Sequence, residues 1–382
     1  MCLRLTNVEI SFCYLNFTVQ YSFLMVEIGW RGHRHLLSID QFSRSDIEDV
    51  LGFSRKLRPF SGEGSELSIL RGRILKPMFF EPSSRTIDRH TGAILTMGGK
   101  YNPPLIPEAS SMEKGESEED TVITAAQTSD ILAIRHPERY APHKFAKLID
   151  NLKSNTARVI NCGDGSNEHP TQTLLDFYTI AEELGTLDGL TWLIVGDLEY
   201  GRAVHSLVKG IQKFSGNKVI GFPVDELRLP QEYRPNGYHE FNFDDLANVA
   251  SEIPRGARVV LYATRVQVER IARKRYPDYD NLDEIKKKEI QNGIYKEFKY
   301  QITFKLLDAL PEKTRLSHPL PRGNEIGNDV FNSHSPKVVP IGQMRYGLPV
   351  TMAYLALFSG LEEMLHEPER YVTSQPIALQ TV

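Results

Sequence analysis

Three observations predict an α/β fold with two doubly wound parallel-sheet domains joined by helices. Short apolar runs alternate with helical runs along most of the chain, which is the pattern of βαβ units. The alternation comes in two series that part near residues 185–189. A chain of 382 residues also leaves room for two or three domains of about 150 residues each. Hydrophobic residues at 41% and charged residues at 25% exclude a disordered chain, a collagen-like chain and a coiled-coil rod. The formal net charge of −4 gives no sign of a nucleic-acid or membrane partner. Cys2, Cys13 and Cys162 are too few and scattered for a disulfide framework or a Cys-type zinc site, and point to a cytoplasmic compartment.

Taken in order, residues 1–35 form an N-terminal extension. Its apolar stretch, 10–26, has no basic start beyond Arg4 and no small-residue cleavage site, and polar residues interrupt it. It therefore reads as neither a signal peptide nor a membrane span. Phe17, Val19, Tyr21 and Phe23 alternate with polar residues, as in a strand, so the extension reads as an added strand or a disordered arm. A helix is expected from Ser45, with Glu48 completing a capping box. Strands follow at 74–80, 131–134 and 158–162. Pro170 suits the first position of a helix that Gly185 stops. The second series has a strand at 190–195, a helix at 203–214 and strands at 218–222 and 259–262. The charged run 283–289 is a solvated helix face. The first domain spans 36–185 and is completed by a late apolar helix, 349–365; the second spans 186–348, and 366–382 is a loop-like tail.

Polar residues cluster where strands hand over to helices. In Ser83-Ser84-Arg85-Thr86, three hydroxyls and a guanidinium meet a helix N-terminus, which suits a phosphate. His169 precedes a helix whose positive end disfavours its protonation, and Gln172 lies on the same first turn. Arg202, and Arg265 with Gln267, follow strand ends, where open α/β sheets bind ligands. If that last strand continues, Arg265 and Gln267 share a side and form, with Arg202, a clamp for a dicarboxylate. The prolines of His318-Pro319-Leu320-Pro321-Arg322 stiffen a backbone whose carbonyls can orient an amide. His136, His169 and His318 lack a second ligand at metal-binding spacing, so no metal is expected. No G-x-G-x-x-G and no G-x-S-x-G occurs, which argues against dinucleotide binding and a serine hydrolase.

Together, over about 36–365, these motifs resemble the aspartate carbamoyltransferases of the aspartate/ornithine transcarbamoylase superfamily. The runs His169-Pro170-Thr171-Gln172 and His318-Pro319-Leu320-Pro321-Arg322 resemble the aspartate branch; the ornithine branch typically has a Cys in each place. The resemblance implies transfer of the carbamoyl group of carbamoyl phosphate to L-aspartate, an early step of pyrimidine synthesis, without a cofactor. It implies an active site in the cleft between a carbamoyl-phosphate-binding and an aspartate-binding domain. Ser83, Ser84, Arg85 and Thr86 match the phosphate loop. Thr86, Arg135 and His169 match the groups around the carbamoyl oxygen; Gln172, Leu320 and Pro321 match those that orient its amide. Arg202, Arg265 and Gln267 match the aspartate clamp, joined by Lys114. Ser110 and Lys114 match a loop supplied by a neighbouring subunit, which implies a homotrimer with shared sites and leaves regulatory chains open. Arg85, Lys114, Arg135, Arg202 and Arg265 are expected to balance about four negative charges on the two substrates.

The chain departs from the family pattern in places. Ser84 replaces a usual Thr, Ile87 a usual Arg, Arg89-His90-Thr91 a usual Ser-Phe-Glu, and Thr351 a frequent Arg. The Arg and Glu lost at 87 and 91 are an i,i+4 pair. His90, polar at a usually apolar site, is expected to loosen the helix that holds the phosphate loop. The stretch 268–317 is longer than usual, with extra charge beside the aspartate side of the cleft. These departures keep a second reading open, a non-catalytic homologue acting as an assembly or regulatory partner. A third, a carbamoyltransferase for another amine, is disfavoured by the paired arginines and Gln267.

Overall fold

The computed structural model describes residues 32–374 apart from 63, 108–109, 225–226 and 298–299. The strand expected around residues 17–23, with Cys2 and Cys13, lies outside the described residues. After a short turn, α1 spans Arg44–Leu57. Its cap is Ser43, whose side chain accepts from Asp46 N–H while Asp46 Oδ2 accepts from Ser43 N–H. The capping box thus begins two residues before the expected one, because Glu48 is engaged instead by Arg44 at 2.9 Å.

The first domain continues with β1 (Glu66–Leu67), β2 (Ile74–Phe79), α2 (Ser84–Thr96), β3 (Lys100–Tyr101), α3 (Glu118–Thr128), β4 (Ile131–His136), α4 (Ala141–Asp150) and β5 (Arg158–Asp164). Strands β3-β2-β4-β5 form a sheet that is parallel throughout. Next comes α5 (Pro170–Leu184), with Pro170 at its start and Gly185 in the left-handed conformation at its end. The second domain runs through β6 (Thr191–Gly196), α6 (Arg202–Ile211), β7 (Lys218–Pro223), β8 (His239–Glu240), α7 (Leu246–Glu252), β9 (Val259–Ala263), α8 (Val268–Arg275), α9 (Glu284–Glu297), α10 (Phe304–Ala309), β10 (Thr314–Ser317) and α11 (Asn328–Phe331). Its sheet, β10-β9-β6-β7-β8, is also parallel. In both sheets the chain reverses its direction of winding beside a central strand, between β2 and β4 and between β6 and β9. Crevices at such points are where α/β sheets take ligands.

The strands alternate faces with period two, and the core layers follow. Met78, Leu132, Ile134 and Val159 pack under α3 and α4, while Leu75, Ile131, Ala133 and Ile160 face α1, α2 and α5. That second layer continues without a break through α5 and α6 to Trp192, Ile194, Val260 and Tyr262 of the second sheet. The far face of the second sheet carries its own cluster with α7, α8 and α10. The domains therefore share one core layer, with α5 and α6 as the joint.

Two expectations need correction. The late helix, α12, spans Pro340–Leu357 rather than 349–365 and packs on α1, α2 and α5. Gly342, Gly347 and Pro349 read as breaks in sequence, yet burial of residues 349–357 outweighs the single backbone bond that Pro349 removes. The tail is not all loop: β11 (Val372–Ser374) pairs antiparallel with β1. As expected, α9 is mostly solvated, and Ile294 is its one buried residue. Among the described residues no helix is long and apolar enough to cross a membrane, and no cluster of His, Cys, Asp or Glu could hold a metal.

Candidate active site

At the C-terminal ends of β2, β4, β5 and β6, polar side chains from both domains converge. The first crevice opens between β2 and β4, where Phe79 stands opposite Arg135 and Phe80 N–H donates to Arg135 O at 2.9 Å. Glu81 follows β2 and reaches into this crevice. Its Oε1 lies 2.7 Å from Arg135 Nε, and it also accepts from Arg202 Nη2 at the start of α6. One carboxylate thus ties a guanidinium of the first domain to one of the second. Burial and the neighbouring Arg202 cation push the Arg135 guanidinium down to about 10. Arg202 Nη1 is buried with no hydrogen-bond partner among the described residues. A buried guanidinium donor without a partner, beside a second buried guanidinium, marks a place that prefers an anion.

Backbone geometry makes the convergence possible. Gly163, at φ +112°, is the next-to-last residue of β5, and a Cβ there would lie 3.1 Å from Arg202 Nε. Asp164 then holds the following loop, accepting from Tyr140 N–H (2.7 Å), Asn167 Nδ2 (2.9 Å) and Glu168 N–H (3.0 Å). The loop delivers His169 to the N-terminus of α5, where its N–H donates to Ser206 Oγ of α6 at 2.7 Å. Burial, then Arg135 and Arg202, hold the His169 imidazole well below its usual pKa. It is therefore neutral and able to donate one N–H.

The phosphate-loop candidates take their expected place. Ser83 precedes α2 and its Oγ donates to Thr86 Oγ1 at 3.0 Å; Thr86 is buried, while Ser84 and Arg85 are exposed at the helix N-terminus. Gln172 donates its amide N–H to Asp176 Oδ1 at 2.9 Å, which leaves its carbonyl oxygen as the group that can accept from another donor. Asp176 also accepts from Tyr262 (2.7 Å) and from Gln343. It is wholly buried, and burial pushes its carboxyl up to about 7. At the other wall, His318 Nδ1 accepts from Leu320 N–H at 2.8 Å and its Nε2 donates to Glu325 at 2.9 Å. Tyr295 of α9 also donates to Glu325 (2.9 Å) and accepts from Asn324 N–H (2.8 Å). These bonds hold Leu320 at φ +55° in the turn before Pro321.

Some placements differ from expectation. β9 ends at Ala263, so Arg265 and Gln267 do not alternate along a strand; Gln267 caps α8, and its N–H donates to Asp197 at 3.2 Å. Arg265 is locked through both nitrogens onto Glu269, one turn along α8. Ser110 caps a short turn, Ser111–Lys114, before α3, and Lys114 is exposed. Among the described residues, nothing bonds Ser110 or Lys114 to the cluster around Arg135. Glu81, Asp176, Asp197, Glu269 and Glu325 went unassigned from sequence. Glu81 adjoins the hydroxyl run, and Glu269 follows Arg265 at helical spacing; these were the available signals.

Family models place the same two halves side by side. The carbamoyl-P binding domain of aspartate/ornithine carbamoyltransferase matches residues 34–182, and its Asp/Orn binding domain matches 188–358. The aspartate carbamoyltransferase catalytic subunit of Thermococcus gammatolerans is 38% identical over 338 residues, covering 87% of this chain and all of that protein. Aspartate transcarbamoylase from Trypanosoma cruzi, solved with carbamoyl phosphate and aspartate, superposes with a TM-score of 0.70 at 32% identity, over 84% of this chain and 95% of that one. The catalytic subunit of M. jannaschii aspartate transcarbamoylase gives a TM-score of 0.66 at 32% identity, over 85% and 97%.

Proposed function

The chain belongs to the aspartate/ornithine carbamoyltransferase family, and we propose that it transfers the carbamoyl group of carbamoyl phosphate to the amine of L-aspartate. The products are N-carbamoyl-L-aspartate and phosphate, and the setting is pyrimidine synthesis in the cytoplasm. One observation carries the reading: Arg135 of the first domain and Arg202 of the second converge on one carboxylate beside a neutral, buried histidine.

Ser83, Ser84, Arg85 and Thr86 receive the phosphate at the α2 N-terminus. Thr86, Arg135 and His169 surround the carbamoyl oxygen. The carbamoyl amide donates to the Gln172 carbonyl and to the Leu320–Pro321 backbone, which fixes the face open to attack. Arg202, Arg265 and Gln267 take the aspartate carboxylates, with Arg265 exchanging its internal partner Glu269 for the substrate. The neutral amine's lone pair forms the nitrogen–carbon bond; the carbon–oxygen bond to phosphate then breaks, its electron pair leaves with phosphate, and the proton shed by the amine passes to that departing phosphate. Negative charge grows first on the carbonyl oxygen, where preorganised donors lower the barrier most. This assignment divides the chain into a carbamoyl-phosphate domain, 36–185 with α12, and an aspartate domain, 186–339.

We further place Ser110 and Lys114 in a neighbouring subunit's cleft, within a homotrimer. Lys114 is exposed and makes no ion pair among the described residues, which supports that reading. The test is carbamoyl-aspartate formation by the purified protein beside His169→Ala and Arg265→Ala. His169→Ala is expected to lower kcat by about a hundredfold at saturation. Arg265→Ala is expected to raise the KM for aspartate by at least about tenfold. A folded protein with no turnover would sink the catalytic reading in favour of a non-catalytic homologue.

A further inference from the structure

His90 lies one turn after Thr86 on α2, is completely buried and is bonded at both ring nitrogens. Nδ1 sits 2.7 Å from the Thr86 carbonyl oxygen. A carbonyl only accepts, so Nδ1 carries the proton and Nε2 is the acceptor. Nε2 lies 2.8 Å from the Tyr354 hydroxyl of α12 and 3.4 Å from the Cys162 thiol of β5. Tyr354 Oη also lies 3.1 Å from Thr351 Oγ1, whose own proton goes to Gly347 O at 2.9 Å, so the single Tyr354 proton is shared between Thr351 Oγ1 and the closer His90 Nε2. Three separate segments therefore fix the tautomer and plane of one imidazole. Burial, with Arg89 beside it, pushes the ring down to about 3, so it stays neutral through the physiological range.

The expected loosening of α2 is not what the structure shows. A buried imidazole without partners would be costly, and an apolar ring would fill the same space more simply. Here every polar atom of the ring is matched, and the matched donor acts on one peptide. That peptide belongs to Thr86, whose hydroxyl is already oriented by Ser83 at 3.0 Å. A carbonyl has two lone pairs, so this one can accept from the ring as well as from the helical N–H.

We propose that His90 is a positioning residue for Thr86: pinned by Tyr354 and Cys162, its Nδ1–H fixes the Thr86 peptide and so the aim of the Thr86 hydroxyl. The proposal rests on the reading of Thr86 as a ligand of carbamoyl phosphate. It names a link between the phosphate loop and α12 that runs through hydrogen bonds instead of apolar contact.

The experiment compares full-length wild type with His90→Phe, His90→Asn and Tyr354→Phe. Phe keeps the ring volume and loses both hydrogen bonds. Asn loses volume, but its amide N–H can still reach the Thr86 carbonyl. kcat is expected to fall about tenfold in His90→Phe, with the KM for aspartate nearly unchanged, and to recover in part in His90→Asn. Melting temperature should run the other way, Phe above Asn, because packing governs it. Tyr354→Phe should fall between wild type and His90→Phe in kcat. Nitrogen-15 spectra of the wild type should show His90 protonated at Nδ1. A wild-type kcat in His90→Phe, or Asn below Phe in both orders, would overturn the proposal. If wild type itself proves inactive, the reaction reading fails, and binding of inorganic phosphate decides this one. A severalfold loss of affinity in His90→Phe, regained in His90→Asn, would support it; equal affinities would overturn it.

Discussion

At Glu81 the cleft carries an anion of its own. Its carboxylate keeps Arg135 and Arg202 from facing each other unscreened. Glu81→Gln should therefore destabilise the free protein by about 2 kcal/mol, a buried-pair loss discounted for the partial exposure of all three side chains. Saturating L-aspartate should restore much of that loss by placing a carboxylate on Arg202; melts with and without it check this. The same residue shows where sequence reading stopped. The places of Ser83, Arg85, Arg135, His169 and Arg202 at strand–helix junctions were legible because each stands just where an apolar run gives way to polar residues. Glu81, Asp176 and Glu269 were not, because cations were weighed against the charges of the substrates and not against the protein's own carboxylates. Arg265 in particular is internally neutralised by Glu269.

Elements meet closely at two glycines. Gly210 of α6 faces α5, and a Cβ there would lie 2.7 Å from the Phe177 ring. Since α5 and α6 are the joint between domains, Gly210→Ala should cost about 1–3 kcal/mol by overpacking. It should also shift the aspartate KM, since α6 carries Arg202; thermal melts and steady-state kinetics read the two effects. Gly163→Ala adds a side chain at positive φ against the Arg202 guanidinium, and should weaken aspartate binding more than carbamoyl-phosphate binding, measured by calorimetry with each ligand. Strands β2, β4, β5, β6, β7 and β9 were legible to within two residues, because buried parallel strands read as continuous apolar runs bounded by turns; β1, β3, β8, β10 and β11, of two to four residues each, are too short to leave such a run. Helix ends were less so. Ser43 and Ser45 compete for one cap, and only the pairing of Arg44 with Glu48 decides between them. The start of α12 was hidden because glycine and proline weaken a helix locally, while its stability comes from three helices distant in sequence.

For the whole molecule, proton binding sets a direction. His35, His90, His169, His205 and His318 are all held below the ordinary imidazole range, chiefly by burial, with His90 at about 3 and His205 at about 4. Below about pH 6.5 the unfolded chain binds protons that the folded one refuses, so stability falls as pH falls. Each such group contributes up to about 1.4 kcal/mol per pH unit. Asp176 and Asp197, raised to about 7 and about 6, work oppositely and lose stability as pH rises toward those values. His90, His169 and His205 are held furthest below the usual value and stand against two raised carboxyls, so the melting temperature should drop between about pH 6 and pH 4.5. A flat profile there would contradict the neutral-histidine picture. Assembly has its own test: mixing and reassembling Lys114→Ala with His169→Ala should return activity that neither has alone, because some sites then draw both intact residues from different copies. The late position of α12 has a consequence during synthesis. The sheet β2 to β5 and its helices leave the ribosome long before Pro340–Leu357 is made, so the faces of α1, α2 and α5 that α12 will cover stay open meanwhile. The second domain can close over its own sheet as it emerges, and so the half of the molecule translated first is the half completed last.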